Sequence, residues 1–223
     1  MFEVKEVTKL YEIGDSQVHS LDSVSLKVEK GEFLSVIGPS GSGKSTLLYT
    51  MGGLLTPTKG EVWIDGIPIY KLKNKERAKF RRENVGFIFQ TFELLPYLTA
   101  LENVMLPLHL DGISSTDQEK WATEALDKVG LGKRANHKPC ELSGGEQQRV
   151  AVARGIVNNP SILLADEPTG NLDQKTGNEI MGLLCDLRKK EGLTLIFVTH
   201  DQEKAKLAGR VVEMLDGHIV TKK

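Results

Sequence analysis

Lys44 stands near the end of Gly38-Pro39-Ser40-Gly41-Ser42-Gly43-Lys44-Ser45-Thr46, a spacing of glycines, hydroxyls and one lysine suited to gripping phosphate. Glycines allow the backbone to curl so that successive N–H groups point at phosphate oxygens. A helix starting there adds its unpaired amides and the positive end of its dipole. Lys44 can reach the β- and γ-phosphates of a nucleoside triphosphate, and the Ser45 hydroxyl can ligate Mg²⁺. A plain Gly/Ser turn with a solvated lysine is the alternative, and the flanking residues argue against it. Glu32-Phe33-Leu34-Ser35-Val36-Ile37 reads as a buried strand, and Thr46-Leu47-Leu48-Tyr49-Thr50-Met51 as a helix stopped by Gly52-Gly53.

A second group of residues suits the same chemistry. Ile162-Leu163-Leu164-Ala165 is a continuous apolar run, as expected of a parallel strand covered on both faces, and it ends in Asp166-Glu167. Ligands of open α/β sheets sit beyond the carboxyl ends of strands, so Asp166 is placed to hold Mg²⁺ and Glu167 to polarise an attacking water. An acidic pair capping the next helix is the plainer reading. Leu142-Ser143-Gly144-Gly145-Glu146-Gln147-Gln148-Arg149-Val150 precedes that strand. Ser143 with Glu146 forms a capping box, and Val150, Ala153 and Val157 fall on one helix face. A cap alone does not call for two glycines. They strip the helix start of side chains and make a second anion site, for which one chain with one phosphate loop has no use.

The elements that must position these groups follow from the rest of the chain. The 223 residues are 39% hydrophobic and 26% charged, the composition of a soluble globular domain. The formal net charge is −1 with no strongly basic tract, which argues against nucleic acid as a partner. Cys140 and Cys185 lack metal-like spacing and suit a reducing compartment. No apolar run reaches the roughly 20 residues that span a bilayer, and no signal-peptide pattern opens the chain. Strands are predicted over residues 2–9, 18–28 and 61–69, with turns at Gly14-Asp15 and Asp65-Gly66. Residues 71–82 read as a basic helix. Residues 116–129 read as a helix with an apolar stripe of Trp121, Ala122, Ala125, Leu126 and Val129. β/α alternation returns with strands at 161–165 and 193–199 around a helix near 177–190. A hairpin with Arg210 to Leu215, Asp216-Gly217 and His218 to Thr221 closes the chain.

The order and spacing of residues 38–46, 142–150 and Asp166-Glu167 resemble the nucleotide-binding subunit of an ABC transporter, and the likeness runs from about residue 2 to 220. The resemblance implies an α/β P-loop NTPase of RecA-like, mainly parallel sheet. An N-terminal antiparallel β subdomain and a helical signature subdomain of about residues 91–158 accompany it, all within one ABC ATPase domain, 1–223. It implies ATP and Mg²⁺ as cofactors, with Ser143, Gly144 and Gly145 binding the γ-phosphate held by a second copy of the chain. Two anion sites per chain then make sense. Gln90, after Val85-Gly86-Phe87-Ile88-Phe89, resembles the glutamine that touches Mg²⁺ and the attacking water. His200 resembles the switch histidine at the γ-phosphate, and Asn171-Leu172-Asp173 the loop at the dimer interface, where the family often has serine–alanine in place of Gly170-Asn171. Tyr11 resembles the aromatic that stacks on adenine. Glu167, His200, Lys44 and Gln90 are thereby the expected catalytic set, and Ser45, Gln90 and Asp166 the metal set.

Residues 91–104, beginning at Thr91 and ending at Val104, are rich in large apolar groups, broken by Pro96 and without helical period, so an exposed patch awaiting a partner is expected there. The resemblance implies that an integral membrane permease subunit docks on it, placing the chain on the cytoplasmic side of the membrane as a peripheral subunit. Its details are most similar to the lipoprotein-release and macrolide-export group (LolD/MacB-like). A fused membrane domain or a regulatory C-terminal domain is not expected at this length. The alternative is a non-transport ABC ATPase regulating a membrane cell-division complex (FtsE-like). Translation-type members carry two cassettes, and chromosome-maintenance members need a long coiled coil that the span from Thr46 to Leu142 cannot hold.

Overall fold

The computed structural model describes residues 1–14 and 16–220. Asp15 of the expected first turn and Thr221 of the expected last strand lie outside the described residues. In chain order the elements are β1 (Phe2–Ile13), β2 (Ser16–Val28), β3 (Phe33–Ile37), α1 (Lys44–Met51), β4 (Lys59–Ile64), β5 (Ile67–Pro68) and α2 (Asn74–Asn84). Next come β6 (Val85–Ile88), α3 (Ala100–Leu110), α4 (Ser115–Lys128), α5 (Gly144–Ile156) and β7 (Ile162–Asp166). The chain finishes with α6 (Gln174–Glu191), β8 (Thr194–Thr199), α7 (Gln202–Ala205), β9 (Arg210–Leu215) and β10 (His218–Val220). It divides into two compact units, one of Met1–Arg81 with the segment from Thr194 onward, the other of Arg82–Leu193.

The first unit holds two kinds of strand, and hydrophobic pattern separates them. β2 alternates, burying Leu21, Val24, Leu26 and Val28 while Ser25 and Lys27 face solvent. Such a strand suits a sheet covered on one face, and β2-β1-β4-β5 is that sheet, antiparallel throughout. β1 runs on to Ile13, past the expected end at Lys9, because it stays paired with β2 as far as Ile13 opposite Ser16. β8 is instead buried at every residue. It lies parallel to β3, which is also parallel to β9, and β10 turns back antiparallel on β9. Helix α1 packs on β8.

In the second unit β6 runs parallel to β7, and α3, α4 and α5 pack on one another. Their ends are set by side-chain caps: Thr99 with Glu102 at α3, Ser114 at α4, Ser143 with Glu146 at α5 and Asp173 at α6. Two expectations change here. Trp121 is 37% exposed, and Gln118 joins Ala122, Ala125 and Leu126 on the buried face of α4, with Val129 buried at its C-cap. Gln118 is tolerated there because its Nε2 donates to the Ile113 carbonyl at 2.6 Å. Residues 91–104 are not one irregular run either. From Ala100 the chain is α3, burying Ala100, Val104 and Leu108, so the exposed large apolar groups ahead of it shrink to Leu95 and Tyr97.

Strand β6 meets helix α5 backbone to backbone. A Cβ on Gly86 would stand 2.0 Å from the Gly155 carbonyl oxygen. Gly86→Ala is therefore expected to destabilise the protein by about 1–3 kcal/mol, the usual cost of overpacking. It would be read as a lower urea midpoint at unchanged m-value. An unaltered midpoint would contradict this contact, which sets how closely α5 approaches the strand leading to Gln90.

Candidate functional site

In the first unit, β3 delivers the chain into the loop from Gly38 and α1 takes it up at Lys44. Gly38, Gly41 and Gly43 hold φ of 155°, 79° and 96°, values in the left-handed range that residues with a Cβ rarely adopt. At Gly43 there is also no room, since a Cβ would lie 2.2 Å from the Ser20 carbonyl oxygen. The loop is braced from β2 and from the β9–β10 turn. Ser20 Oγ and Thr46 Oγ1 share a hydrogen bond of 2.7 Å, and the Gly217 N–H donates to Ser42 O at 3.1 Å. Lys44 is 7% exposed, and its ammonium donates to the carbonyls of Gly38 at 2.9 Å and Pro39 at 2.8 Å. The loop thus turns over its own lysine. Ser42 Oγ is buried without a hydrogen-bond partner, and the Ser42 amide is used inside the loop, donating to Pro39 O at 3.3 Å.

His200 begins where the loop begins. Ile37 and Thr199 are register partners in β3 and β8, so Gly38 and His200 leave the same end of neighbouring parallel strands. The strand then turns into α7, capped by Asp201, whose Oδ1 accepts from the amides of Glu203 and Lys204. Tyr11 lies elsewhere in this unit, on β1 of the antiparallel sheet. It is 39% exposed, with Lys9 Nζ 5.1 Å from its ring centroid.

The second unit gathers the remaining residues. Ile88 and Ala165 are register partners, so Phe89-Gln90 and Asp166-Glu167 emerge from the same end of β6 and β7. Asp166 is 6% exposed as the last residue of β7. Glu167 follows with φ of 44°, a left-handed backbone uncommon outside glycine, and its carbonyl accepts from Gly170 N at 2.9 Å. Gln90 is exposed and faces Asn171: Asn171 Nδ2 donates to Gln90 O at 3.0 Å and Gln90 Nε2 to Asn171 Oδ1 at 3.5 Å. Asp173 serves as the N-cap of α6, accepting from Thr176 N at 3.1 Å. The Thr176 side chain first and its amide second hold the Asp173 carboxyl below the usual range.

At the start of α5 the expected capping box is present in both directions. Ser143 Oγ accepts from Glu146 N at 3.3 Å, and Glu146 Oε2 accepts from Ser143 N and Oγ at 2.9 Å each. Those donors, the Ser143 amide first and its hydroxyl second, keep the Glu146 carboxyl below its usual range. The two glycines prove unlike. A Cβ on Gly145 would stand 2.4 Å from Thr176 Cγ2, so a larger residue there would have to displace the Thr176 side chain of α6. A Cβ on Gly144 would meet only Leu172 Cδ2 at 3.4 Å and Phe92 Cζ at 3.9 Å, which is ordinary contact. The two positions thus differ in packing: Gly145 faces α6 closely, and Gly144 has room for a Cβ within its own chain. Gln148 is a residue that the sequence reading passed over. It is fully buried, and its Nε2 donates to Pro168 O at 2.7 Å and more weakly to Phe89 O at 3.5 Å. It thereby ties α5 to the residues after Glu167 and before Gln90. A second glutamine beside it in sequence hid which of the two turned inward.

Comparisons with known proteins identify the family. The ABC transporter family model matches residues 21–170. An ABC transporter ATP-binding protein of Methanocaldococcus jannaschii, MJ1508, is 51% identical over 220 residues, covering 99% of this chain and 98% of that protein. The lipoprotein-releasing system ATP-binding protein LolD of Geobacter metallireducens is 48% identical over 220 residues, with 99% and 98% covered. A solved dimer of the ATP-binding cassette MJ0796 in a post-hydrolysis state, bound to ADP and Pi, superposes with a TM-score of 0.92 at 47% identity, covering 100% of this chain and 98% of that one. With the phosphate loop, the acidic strand end and the capped glycine pair all in place, the chain belongs to the ABC transporter family as one of its ATP-binding cassettes.

Proposed function

We propose that this cassette binds ATP with Mg²⁺, closes on a second copy of itself around the nucleotide, and hydrolyses it to drive a membrane-embedded partner. The observation that carries the reading is the loop from Gly38 to Thr46, with left-handed glycines, a buried lysine and a helix start directly behind it. The donors suit Mg²⁺: a hydroxyl on Ser45, the carboxylate of Asp166 and the side-chain amide of Gln90 are hard oxygen ligands. Mg²⁺ is commonly held by one or two carboxylates together with substrate phosphates rather than by a dedicated cage. When bound, the ion neutralises charge on the phosphate oxygens.

The chain's own residues do the rest. Glu167 orients the attacking water and takes its proton as the water oxygen bonds to the γ-phosphorus. The bond from that phosphorus to the β–γ bridging oxygen breaks, leaving ADP. Lys44 and His200 stabilise the charge on the transferred group, and Gln90 reports on the site. Ser143 and the amides of Gly144 and Gly145 receive the γ-phosphate held by the second copy. Tyr11 supplies a face for adenine.

Export or lipoprotein release is the transport class this reading favours, supported by LolD-type relatives matched over nearly their whole length. No helix among the described residues is long and apolar enough to cross a membrane, and the proposed partner is a membrane permease subunit. Leu95 and Tyr97, exposed just after Gln90, are its proposed contact, which would place the cassette on the cytoplasmic face of the membrane. Lys44→Ala tests the nucleotide site. Loss of one charge-assisted contact is worth roughly 1.5–3 kcal/mol, so affinity for a fluorescent ATP analogue should fall about 10–100-fold. Unchanged affinity would remove Lys44 from the phosphates and the reading with it.

A further inference from the structure

We infer that Arg154, on the signature helix α5, is a positioning residue that clamps the loop after Gln90 in a left-handed backbone conformation against the start of that helix. Phe92 and Glu93 hold φ of 62° and 53°. Two successive residues with side chains in this region are costly, and such a pair persists only where its surroundings hold it. Arg154 supplies the hold. Its guanidinium forks onto consecutive carbonyls, donating to Phe92 O at 2.7 Å and also to Glu93 O. A planar fork of fixed donors matches two adjacent carbonyls in a way that a point charge cannot.

The arginine is itself confined. It lies half-buried between Ala153 and Gly155, both fully buried, and burial lowers its pKa, with the nearby Glu93 carboxylate working against that shift. A charge kept in such a place must be well satisfied by its partners. The other end of the loop is pinned separately: Asn103 is fully buried, accepts from Leu95 N at 2.8 Å, and donates to the carbonyls of Leu95, Leu98 and Thr99.

The clamp has a consequence for the signature. With Phe92 held, its ring lies 3.9 Å from where a Gly144 Cβ would be. The loop carrying exposed Leu95 and Tyr97 is thus fixed to the helix whose first turn carries Ser143, Gly144 and Gly145. A push on Leu95 or Tyr97 is transmitted to the helix through Arg154, and a shift of the helix moves the residues next to Gln90. This role in turnover rests on the ATPase reading above, whereas the clamp itself does not.

Hydrogen-exchange mass spectrometry and steady-state ATPase kinetics on the full chain test both. The proteins are wild type, Arg154→Met, Arg154→Lys, Glu93→Gly, and Arg154→Met with Glu93→Gly. Removing a charged hydrogen-bond fork should speed amide exchange within residues 91–98 by roughly 10–100-fold, while peptides of α4 and α6 keep wild-type rates. Turnover should fall by about tenfold with KM for Mg-ATP within about twofold, since the phosphate loop is untouched. Glycine adopts the left-handed region without strain, but Glu93→Gly also removes the carboxylate that faces Arg154 and accepts from Thr91 Oγ1 at 2.6 Å, so alone it should stay within a few-fold of wild type, roughly one lost side-chain hydrogen bond. In the Arg154→Met background it should restore much of the protection and of the turnover. Arg154→Lys, with charge but no fork, should fall between wild type and Arg154→Met, and it decides the matter if the methionine variant does not fold. Wild-type exchange in 91–98 of Arg154→Met, an equal rise throughout Arg82–Leu193, full protection in Arg154→Lys, or no rescue by Glu93→Gly would each overturn the clamp. Inactive wild-type protein would overturn the ATPase reading, leaving the exchange result to decide the clamp.

Discussion

Glu167→Gln is expected to leave ATP affinity near wild type while steady-state phosphate release drops by about 10²–10⁴-fold, the range supplied by a positioned general base. The substitution keeps size, shape and hydrogen-bonding reach, and removes only the charge and basicity that would accept the water's proton. Its backbone has reason to stay in place. Glu167 sits at φ of 44° at the end of β7, within a turn closed by Gly170 N donating to its carbonyl at 2.9 Å, and glutamine meets the same backbone constraint. Asp166, buried at the strand end, and Lys44, inside its loop, are unaltered, so binding and chemistry should separate cleanly. Strained backbone at a strand end is a frequent attribute of functional residues, and here it is an observed outlier rather than an assumption. Nucleotide titration and phosphate release on one preparation give the answer. A fall below about tenfold would take the role of base from Glu167, and a matching loss of affinity would make it a binding residue instead.

What could be read from the residues follows how local each signal is. The run Ile162-Leu163-Leu164-Ala165 had to be a covered strand, and its acids had to emerge at the carboxyl end, because the pattern and the direction are both carried within a few residues. The phosphate loop is legible for the same reason, and so is the cap of α5. Helix α3 carried an equally local sign, Thr99 with Glu102, which the dense apolar run and Pro96 ahead of it obscured. Trp121 falls on the apolar stripe by spacing and hydropathy alone, yet it is 37% exposed. Gln118 took that place through a hydrogen bond to Ile113 that no hydropathy pattern encodes. The hold of Arg154 on Phe92 and Glu93, and of Gln148 on Pro168, joins residues far apart in the chain. Helical spacing can say that Arg154 lies on α5, not that two carbonyls wait for it. Gly145 illustrates the same limit: its pairing with Gly144 suggests one shared purpose, yet only Gly145 lies tight against Thr176 on another helix.

That difference makes Gly144 the position at which the two-chain site can be tested. Gly144→Asp should abolish ATP-driven dimerisation while leaving ATP binding by the single chain nearly intact. Asp has room in its own chain, since a Cβ there meets only Leu172 and Phe92 at contact distance. An acidic residue in the first turn of a helix is favoured by the dipole, so α5 should hold its fold as well as before. The same residue at Gly145 would be less informative, because it would also have to displace the Thr176 side chain at 2.4 Å whatever the function. Against a γ-phosphate delivered by a second chain, however, the added carboxylate brings like charge and bulk to a helix start whose first-turn amides lack intrahelical acceptors. Glu167→Gln serves as the background, holding ATP unhydrolysed. Light scattering after size exclusion should then show Glu167→Gln as a dimer with Mg-ATP and a monomer with ADP, because ADP lacks the phosphate that the two chains would share. Glu167→Gln with Gly144→Asp should be a monomer in both, with nucleotide titration confirming that the chain is still loaded. A dimer in the double variant would reduce Ser143-Gly144-Gly145 to a capped helix, and the second anion site would have to be sought elsewhere.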